Sequence, residues 1–191
     1  MIAKLKHPVV LLLLKFAGLY LAWFLFYNVW LRSPSEESRK NQHGPENEQT
    51  SALDNWVIVR TTAAAAFMLE ATGYEIFYDG ERTLGIKGTG GLWVGDSCNA
   101  ITLIALFAGL IICFSGIWWH KLIFIAGGSL IIWLLNVFRL FFLAILETYS
   151  RSYTQFNHTY TFTILVYAAI ILMWYWWIKK YADLKPVKNV A

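Results

Sequence analysis

The chain has 191 residues, of which 58% are apolar or aromatic and 15% are charged. Soluble domains are about 45–50% apolar and about 25% charged, so this composition excludes a soluble domain, a disordered chain and a nucleic-acid-binding protein. The formal net charge of +4 says little about partners. The two cysteines are too few for a disulfide framework or a four-cysteine zinc site, and the sequence indicates no metal or cofactor. The composition indicates a small integral membrane protein surrounded by lipid.

Four stretches are long and apolar enough to cross a bilayer as helices. A span needs about 20 mostly apolar residues for a hydrocarbon core of about 30 Å. No small-residue cleavage pattern follows the first stretch, which favours an uncleaved anchor over a signal peptide. The predicted spans cover residues 8–31, 100–119, 122–146 and 159–178.

Residues 57–69 form a fifth apolar stretch, and its placement stays open. A helix of this length covers about 20 Å, and the stretch contains Arg60 and two threonines. We therefore favour a short re-entrant or interfacial helix over a fifth span. The expected fold class is an all-α polytopic membrane protein: a four-span helical bundle with this short helix and a small extracytoplasmic β-hairpin.

The segment between the first two predicted spans is not uniform. Residues 32–54 are polar and poor in aliphatic side chains, which is typical of a flexible linker. Residues 74–86 read as two short strands around the turn signal Asp79-Gly80. The sequence therefore predicts an N-terminal membrane anchor helix at residues 1–31, a flexible extracytoplasmic linker at 32–54 and a membrane domain at 55–191 that carries the candidate site.

The charge distribution sets the predicted orientation. With four spans and a cytoplasmic N-terminus, the short cytoplasmic pieces, including a tight turn at His120 and Lys121, hold seven lysines against the single acid Asp183. Eleven of the twelve acids then lie outside. This bias agrees with the positive-inside rule. We expect both termini in the cytoplasm.

Two polar residues lie within the third predicted span. Arg139 is about seven residues, or about 10 Å, below its outer end. Burying an arginine in a span costs at least about 2.5–3.5 kcal/mol. Asn136 lies three positions earlier and therefore on the same helical face. Arg139 could simply extend to the interface, but the neighbouring amide favours a polar interior face.

Cys98 immediately precedes the second predicted span. At a helix N-terminus the macrodipole and free N–H groups favour a thiolate. The simpler alternative is an ordinary helix start capped by Ser97 or Asn99. Cys113 lies about 22 Å deeper in the same helix. It cannot pair with Cys98, and we expect it to pack as a small apolar residue.

His158 opens the last predicted span, and a lone interfacial histidine is more often only an anchor. Four spans, however, would bring Cys98, Arg139 and His158 to one level near the outer surface. A thiolate can attack a carbonyl carbon, a histidine can move the proton near neutral pH, and a fixed guanidinium can stabilise the oxyanion or the thiolate. Water or an amine would then resolve the thioester. These residue types indicate peptide cleavage or transpeptidation at the outer face.

The order and spacing of these residues resemble the exosortase/archaeosortase family. The resemblance covers about residues 74–178 and rests on Cys98 before a span, Asn136-Val137-Phe138-Arg139 within the next, and His158 opening the last. The short chain looks like the compact bacterial members. Many members follow the cysteine with a small residue and then glycine, where this chain has Asn99-Ala100.

The resemblance implies a cysteine protease or transpeptidase in the bacterial inner membrane, with its active site on the extracytoplasmic face and no cofactor. The implied substrates are exported proteins with a C-terminal sorting tail, which combines a short motif, a transmembrane helix and a basic end. Cys98 would be the nucleophile, Arg139 the oxyanion or thiolate stabiliser, and His158 the general acid/base. Asn136 and Asn99 would support them.

Two other functions stay open. The chain could be a non-catalytic membrane subunit whose outer hairpin binds an envelope-assembly partner. It could also be a thiol redox protein, which is the weaker alternative because no resolving cysteine lies within reach of Cys98.

Overall fold

The computed structural model describes residues 8–27, 29, 52–95, 100–114 and 116–181, with the backbone alone for residues 8–13 and 52. This part of the chain is mostly helical and includes a small three-stranded sheet. A π-helical turn at Asn157–Thr161 connects the last two helices. In chain order the α-helices are α1 (Pro8–Phe26), α2 (Ala52–Ala71), α3 (Ile101–Cys113), α4 (Trp118–Tyr149), α5 (Arg151–Phe156) and α6 (Phe162–Tyr181).

Helix α4 is the central element. Its 32 residues extend for about 48 Å, and it contacts α2, α3, α6 and the sheet. Helix α6 runs antiparallel to it, because Phe162 stacks on Phe142 while Trp177 packs on Phe124. The two ends of α4 therefore lie beside opposite ends of α6.

Two clusters of buried apolar side chains lie along α4. The sheet-side cluster packs the second half of α4 against α2 and the sheet. Its buried members are Ile58, Ala65, Ala66, Leu69, Leu84, Ile86, Val94, Val137, Leu140 and Ala144. The helix-side cluster packs the first half of α4 against α3 and α6. Its buried members are Ala100, Phe107, Ile111, Phe114, Ile132, Val166, Ile170 and Trp177.

The sheet confirms the predicted hairpin and extends it. Strands β1 (Ile76–Tyr78) and β2 (Thr83–Ile86) pair antiparallel, and β3 (Leu92–Trp93) pairs antiparallel with the other edge of β2. The third strand was not predicted. A Cβ on Gly85 would collide with the Phe77 ring, so glycine lets this ring lie across the sheet.

Two of the four predicted spans are confirmed as helices long and apolar enough to cross a membrane. They are α4 and the continuous helical segment Arg151–Tyr181. Helix α3 has only 13 residues, about 20 Å, where a full span over residues 100–119 was predicted. Extended backbone at Phe114 and Ile117 ends α3 and precedes α4. The predicted turn at His120 and Lys121 is therefore wrong, because both residues lie in the first turn of α4.

Helices α1 and α2 have 19 and 20 residues. The described residues of α1 and α2 do not form a helix that meets the same criterion of length and hydropathy. The four-span bundle therefore stays a prediction. Helix α2 is longer than the predicted short helix and begins within the predicted linker, at Ala52. Asp54 in its first turn accepts a 2.5 Å hydrogen bond from the Tyr27 hydroxyl and favours a helix start. Residues 30–51 lie outside the described residues.

Candidate functional site

Arg139 lies on the second half of α4 and is buried, with 8% of its surface exposed. Its Nη2 donates a hydrogen bond of 3.1 Å to the main-chain oxygen of His158. Its Nε is buried and has no hydrogen-bond partner among the described residues. A buried donor without an acceptor costs about 1–3 kcal/mol, and more when it is charged. The guanidinium is thus turned inward, and its Nε–H is a buried donor that no described contact uses.

His158 lies in the π-helical turn between α5 and α6 and is partly exposed. In this turn the Phe162 N–H donates to the Asn157 oxygen, five residues back instead of four. The carbonyl of His158 accepts the bond from Arg139 and a second one, of 3.4 Å, from the Thr163 hydroxyl. Single π-helical turns occur often at functional sites. Two side chains therefore bind the main chain from which the imidazole projects.

Asn136 lies on the same face of α4 as Arg139 and is also buried, with 6% of its surface exposed. The residues beside it in sequence include Val137, a member of the sheet-side cluster. The polar interior face that the spacing predicted is therefore present in the fold. Both side chains are therefore buried in the interior of the protein.

Cys98 and Asn99 lie outside the described residues, so the structure does not test their predicted roles. The described chain resumes at Ala100, which is 1% exposed and belongs to the helix-side cluster. Cys113 is partly buried at the end of α3. Of the three predicted catalytic residues, the structure therefore describes Arg139 and His158 and brings them into contact.

Sequence reasoning missed Thr163 and the π-helical turn. The one signal for Thr163 is a hydroxyl in the otherwise apolar first turn of α6, five residues after His158. In the part of the chain that the structure covers, no three His, Cys, Asp or Glu side chains converge in a way that could hold a metal ion.

Comparison with known protein families identifies the family of this chain. The transmembrane exosortase family model matches residues 43–177, more than two thirds of the chain. The matched region includes Cys98, Arg139 and His158 and begins within the predicted linker. No curated protein and no solved structure shows significant similarity to the chain. The predicted resemblance is confirmed, and the chain belongs to the transmembrane exosortase family.

Proposed function

We propose that the protein is a membrane-embedded cysteine protease or transpeptidase that cleaves C-terminal sorting signals of exported proteins at the extracytoplasmic face. Family membership supports the reaction class. The observation that carries the proposal is the hydrogen bond from the Arg139 guanidinium to the His158 carbonyl. It unites two members of the predicted triad, which come from different helices.

In the proposed reaction, the thiolate of Cys98 attacks the carbonyl carbon of the scissile peptide bond. The carbonyl oxygen gains the negative charge, which a guanidinium N–H can stabilise. His158 then gives a proton to the leaving nitrogen, the C–N bond breaks, and a thioester remains on Cys98. Water or an amine attacks the thioester, returns its proton to His158 and releases the thiolate.

Arg139 has two roles in this scheme. Its Nη2 donates a hydrogen bond to the main-chain oxygen of His158, which fixes the position from which the imidazole projects. Its Nε lies on the same planar group and is available for an oxyanion or thiolate. A guanidinium suits both roles because its N–H donors keep a fixed fork geometry. Asn136 and Asn99 are proposed to support this arrangement.

The first test compares three strains that make wild type, Cys98→Ala or Cys113→Ala at equal membrane abundance. Cys113→Ala is the matched control, because Cys98 and Cys113 are the only cysteines in the chain. Membrane proteomics should find precursors of exported proteins that keep their C-terminal tails only in the Cys98→Ala strain. Equal maturation in all three strains would contradict the nucleophile role.

A second measurement separates the enzyme from a non-catalytic subunit. In the Cys113→Ala background, a membrane-impermeant maleimide reports on Cys98 alone. We expect the maleimide to label Cys98 in intact cells, with a pH midpoint of labelling below the ordinary thiol pKa of about 8.5. In His158→Ala this pH midpoint should change. Labelling only after permeabilisation would contradict the extracytoplasmic site. External labelling with an ordinary midpoint would favour the binding subunit.

A further inference from the structure

The first turn of α4 and the last turns of α6 meet at one end of the bundle, where tryptophan, tyrosine and lysine are concentrated. The rings of His120 and Tyr181 lie 5.3 Å apart and connect the two helices. Trp118, Trp119 and Trp176 are 61%, 73% and 47% exposed. We call this surface the basic–aromatic end, and it consists of Trp118, Trp119, His120, Tyr175, Trp176, Lys179, Lys180 and Tyr181.

Aromatic faces hold the lysines of this end in place. The ammonium of Lys180 lies 5.0 Å from the centre of the Trp176 ring and 5.5 Å from that of Tyr181. Lys179 is placed similarly, 5.9 Å from the Tyr175 ring. These distances are within the range of cation–π attraction. Both lysines are exposed, so their charges remain accessible from outside the bundle.

The described carboxylates lie elsewhere in the fold. Within α4, Glu147 is about 39 Å along the helix axis from Lys121. The other described acids belong to α2 and to the hairpin region that follows it. They are Asp54, Glu70, Glu75, Asp79 and Glu81. The basic–aromatic end therefore has a positive potential that no described carboxylate neutralises.

We propose that the basic–aromatic end binds the phosphate headgroup of an anionic phospholipid. Tryptophan and tyrosine favour the interface between headgroups and acyl chains, and basic pockets between membrane helices bind acidic headgroups. A free phosphate ion would account for the lysines but not for the exposed rings beside them. The charge of this end favours a net-negative headgroup such as phosphatidylglycerol over zwitterionic phosphatidylcholine. The proposal does not depend on Cys98, Arg139 or His158.

The test is native mass spectrometry of the full-length protein in detergent with equimolar phosphatidylglycerol and phosphatidylcholine. Wild type should bind phosphatidylglycerol preferentially. The double variant Lys179→Gln/Lys180→Gln should lose preference by about fivefold for each lysine. The control Lys87→Gln/Arg151→Gln removes the same charge from exposed positions elsewhere and should keep the preference.

Three results would overturn this proposal. The first is equal binding of both lipids by wild type, and the second is an equal loss of preference in the control. The third is displacement of phosphatidylglycerol by inorganic phosphate but not by chloride at the same ionic strength, which would mean that a free anion is the ligand. Unfolding temperatures of all variants should agree with wild type, so that lost preference reports on binding. None of these measurements depends on proteolytic activity.

Discussion

Helix α4 carries a buried lysine and a buried arginine whose surroundings differ. Lys121 and Arg139 are 5% and 8% exposed. They are five turns of 3.6 residues apart, so they share one face of the helix at a separation of about 27 Å. This separation is close to the hydrocarbon thickness of about 30 Å. The two cations therefore lie in different halves of α4.

The difference between them is in which main-chain oxygen each cation binds and in what lies beside it. The Lys121 ammonium donates to the Ile112 oxygen at 3.2 Å and lies 4.9 Å from the Trp118 ring. That oxygen belongs to the last turn of α3, where a helix leaves carbonyls without internal partners. Lys121 thus completes the end of a helix.

Arg139 also binds a carbonyl, but that carbonyl belongs to the turn that carries His158. Its Nε has no described acceptor. Burial alone therefore does not distinguish Lys121 from Arg139, for which we propose a role in the reaction. The two cations differ in where the bound carbonyl lies, which is the end of a helix for Lys121 and the turn that carries His158 for Arg139.

Replacement of Arg139 by lysine tests this comparison most strongly. A lysine keeps the charge but cannot hold the His158 carbonyl and a second acceptor in one planar fork. We expect the processing rate to fall by about 10²–10³-fold, as when an oxyanion-stabilising donor is removed. The measurement is the cleavage rate, per folded enzyme in isolated membranes, of a precursor that accumulates in Cys98→Ala cells.

Arg151→Lys is the matched control, because Arg151 is exposed and lies on the short helix α5. Its processing rate should stay within about twofold of wild type, since exposed substitutions usually change little. A rate near wild type for Arg139→Lys would mean that Arg139 acts as a simple buried charge, as Lys121 does. The proposed difference between Arg139 and Lys121 would then be contradicted.

Gly128→Ala tests the packing of the helix-side half of α4. A Cβ at this position would collide with the ring of Phe107, which is completely buried. Overpacking of this kind costs about 1–3 kcal/mol. We expect a lower free energy of unfolding in detergent, with the processing rate per folded enzyme unchanged, because the collision lies about 16 Å along α4 from Arg139.

The neighbouring Gly127 provides the control, because a Cβ there would meet nothing within 4 Å. Gly127→Ala should be neutral or stabilising by up to about 1 kcal/mol, since alanine favours helix more than glycine does. Equal stabilities of the two variants would show that contact with Phe107 does not limit packing in this half.

The sequence predicted the features that depend on local spacing. The three-residue separation of Asn136 and Arg139 places them on one face, and Asp79-Gly80 specifies the hairpin turn. The break between α3 and α4 was predicted too late in the chain, at His120 and Lys121, because Phe114 and Ile117 are apolar, and hydropathy cannot distinguish a helix from an extended connection. Strand β3 was missed because its two residues become a strand only through pairing with β2.

The π-helical turn was missed for a different reason. It differs from an α-helix by one hydrogen-bond register and leaves no mark on composition. Within that turn, the main-chain oxygen of His158 accepts the hydrogen bond from Arg139. Sequence spacing could therefore predict which residues meet, but not which atoms do.

The smallest predicted effect is a loss of stability at acid pH. It should occur in the hairpin, which packs against the second half of α4, and not in the first half of the helix. In the hairpin, the Asp79 carboxylate accepts main-chain hydrogen bonds from Glu81 at 2.7 Å and from Thr83 at 3.0 Å. Partial burial would raise the pKa of Asp79, but these bonds and one from the Thr83 side chain outweigh it and hold the pKa below 3.8. The folded hairpin therefore binds a proton less readily than the unfolded one.

A lowered pKa means that the stabilisation from Asp79 is fully present above the ordinary pKa and is lost as the pH falls through the lower, folded value. Hydrogen exchange should show loss of amide protection at Glu81 and Thr83 below about pH 4, and Asp79→Asn should remove this pH dependence. Amides of the first turns of α4 should keep their protection over the same range, because no described carboxylate lies at the basic–aromatic end. Loss of amide protection in the hairpin and in the first turns of α4 over the same pH range would mean that the two halves of α4 open together. That result would contradict the independence of the two halves that the positions of their charges imply.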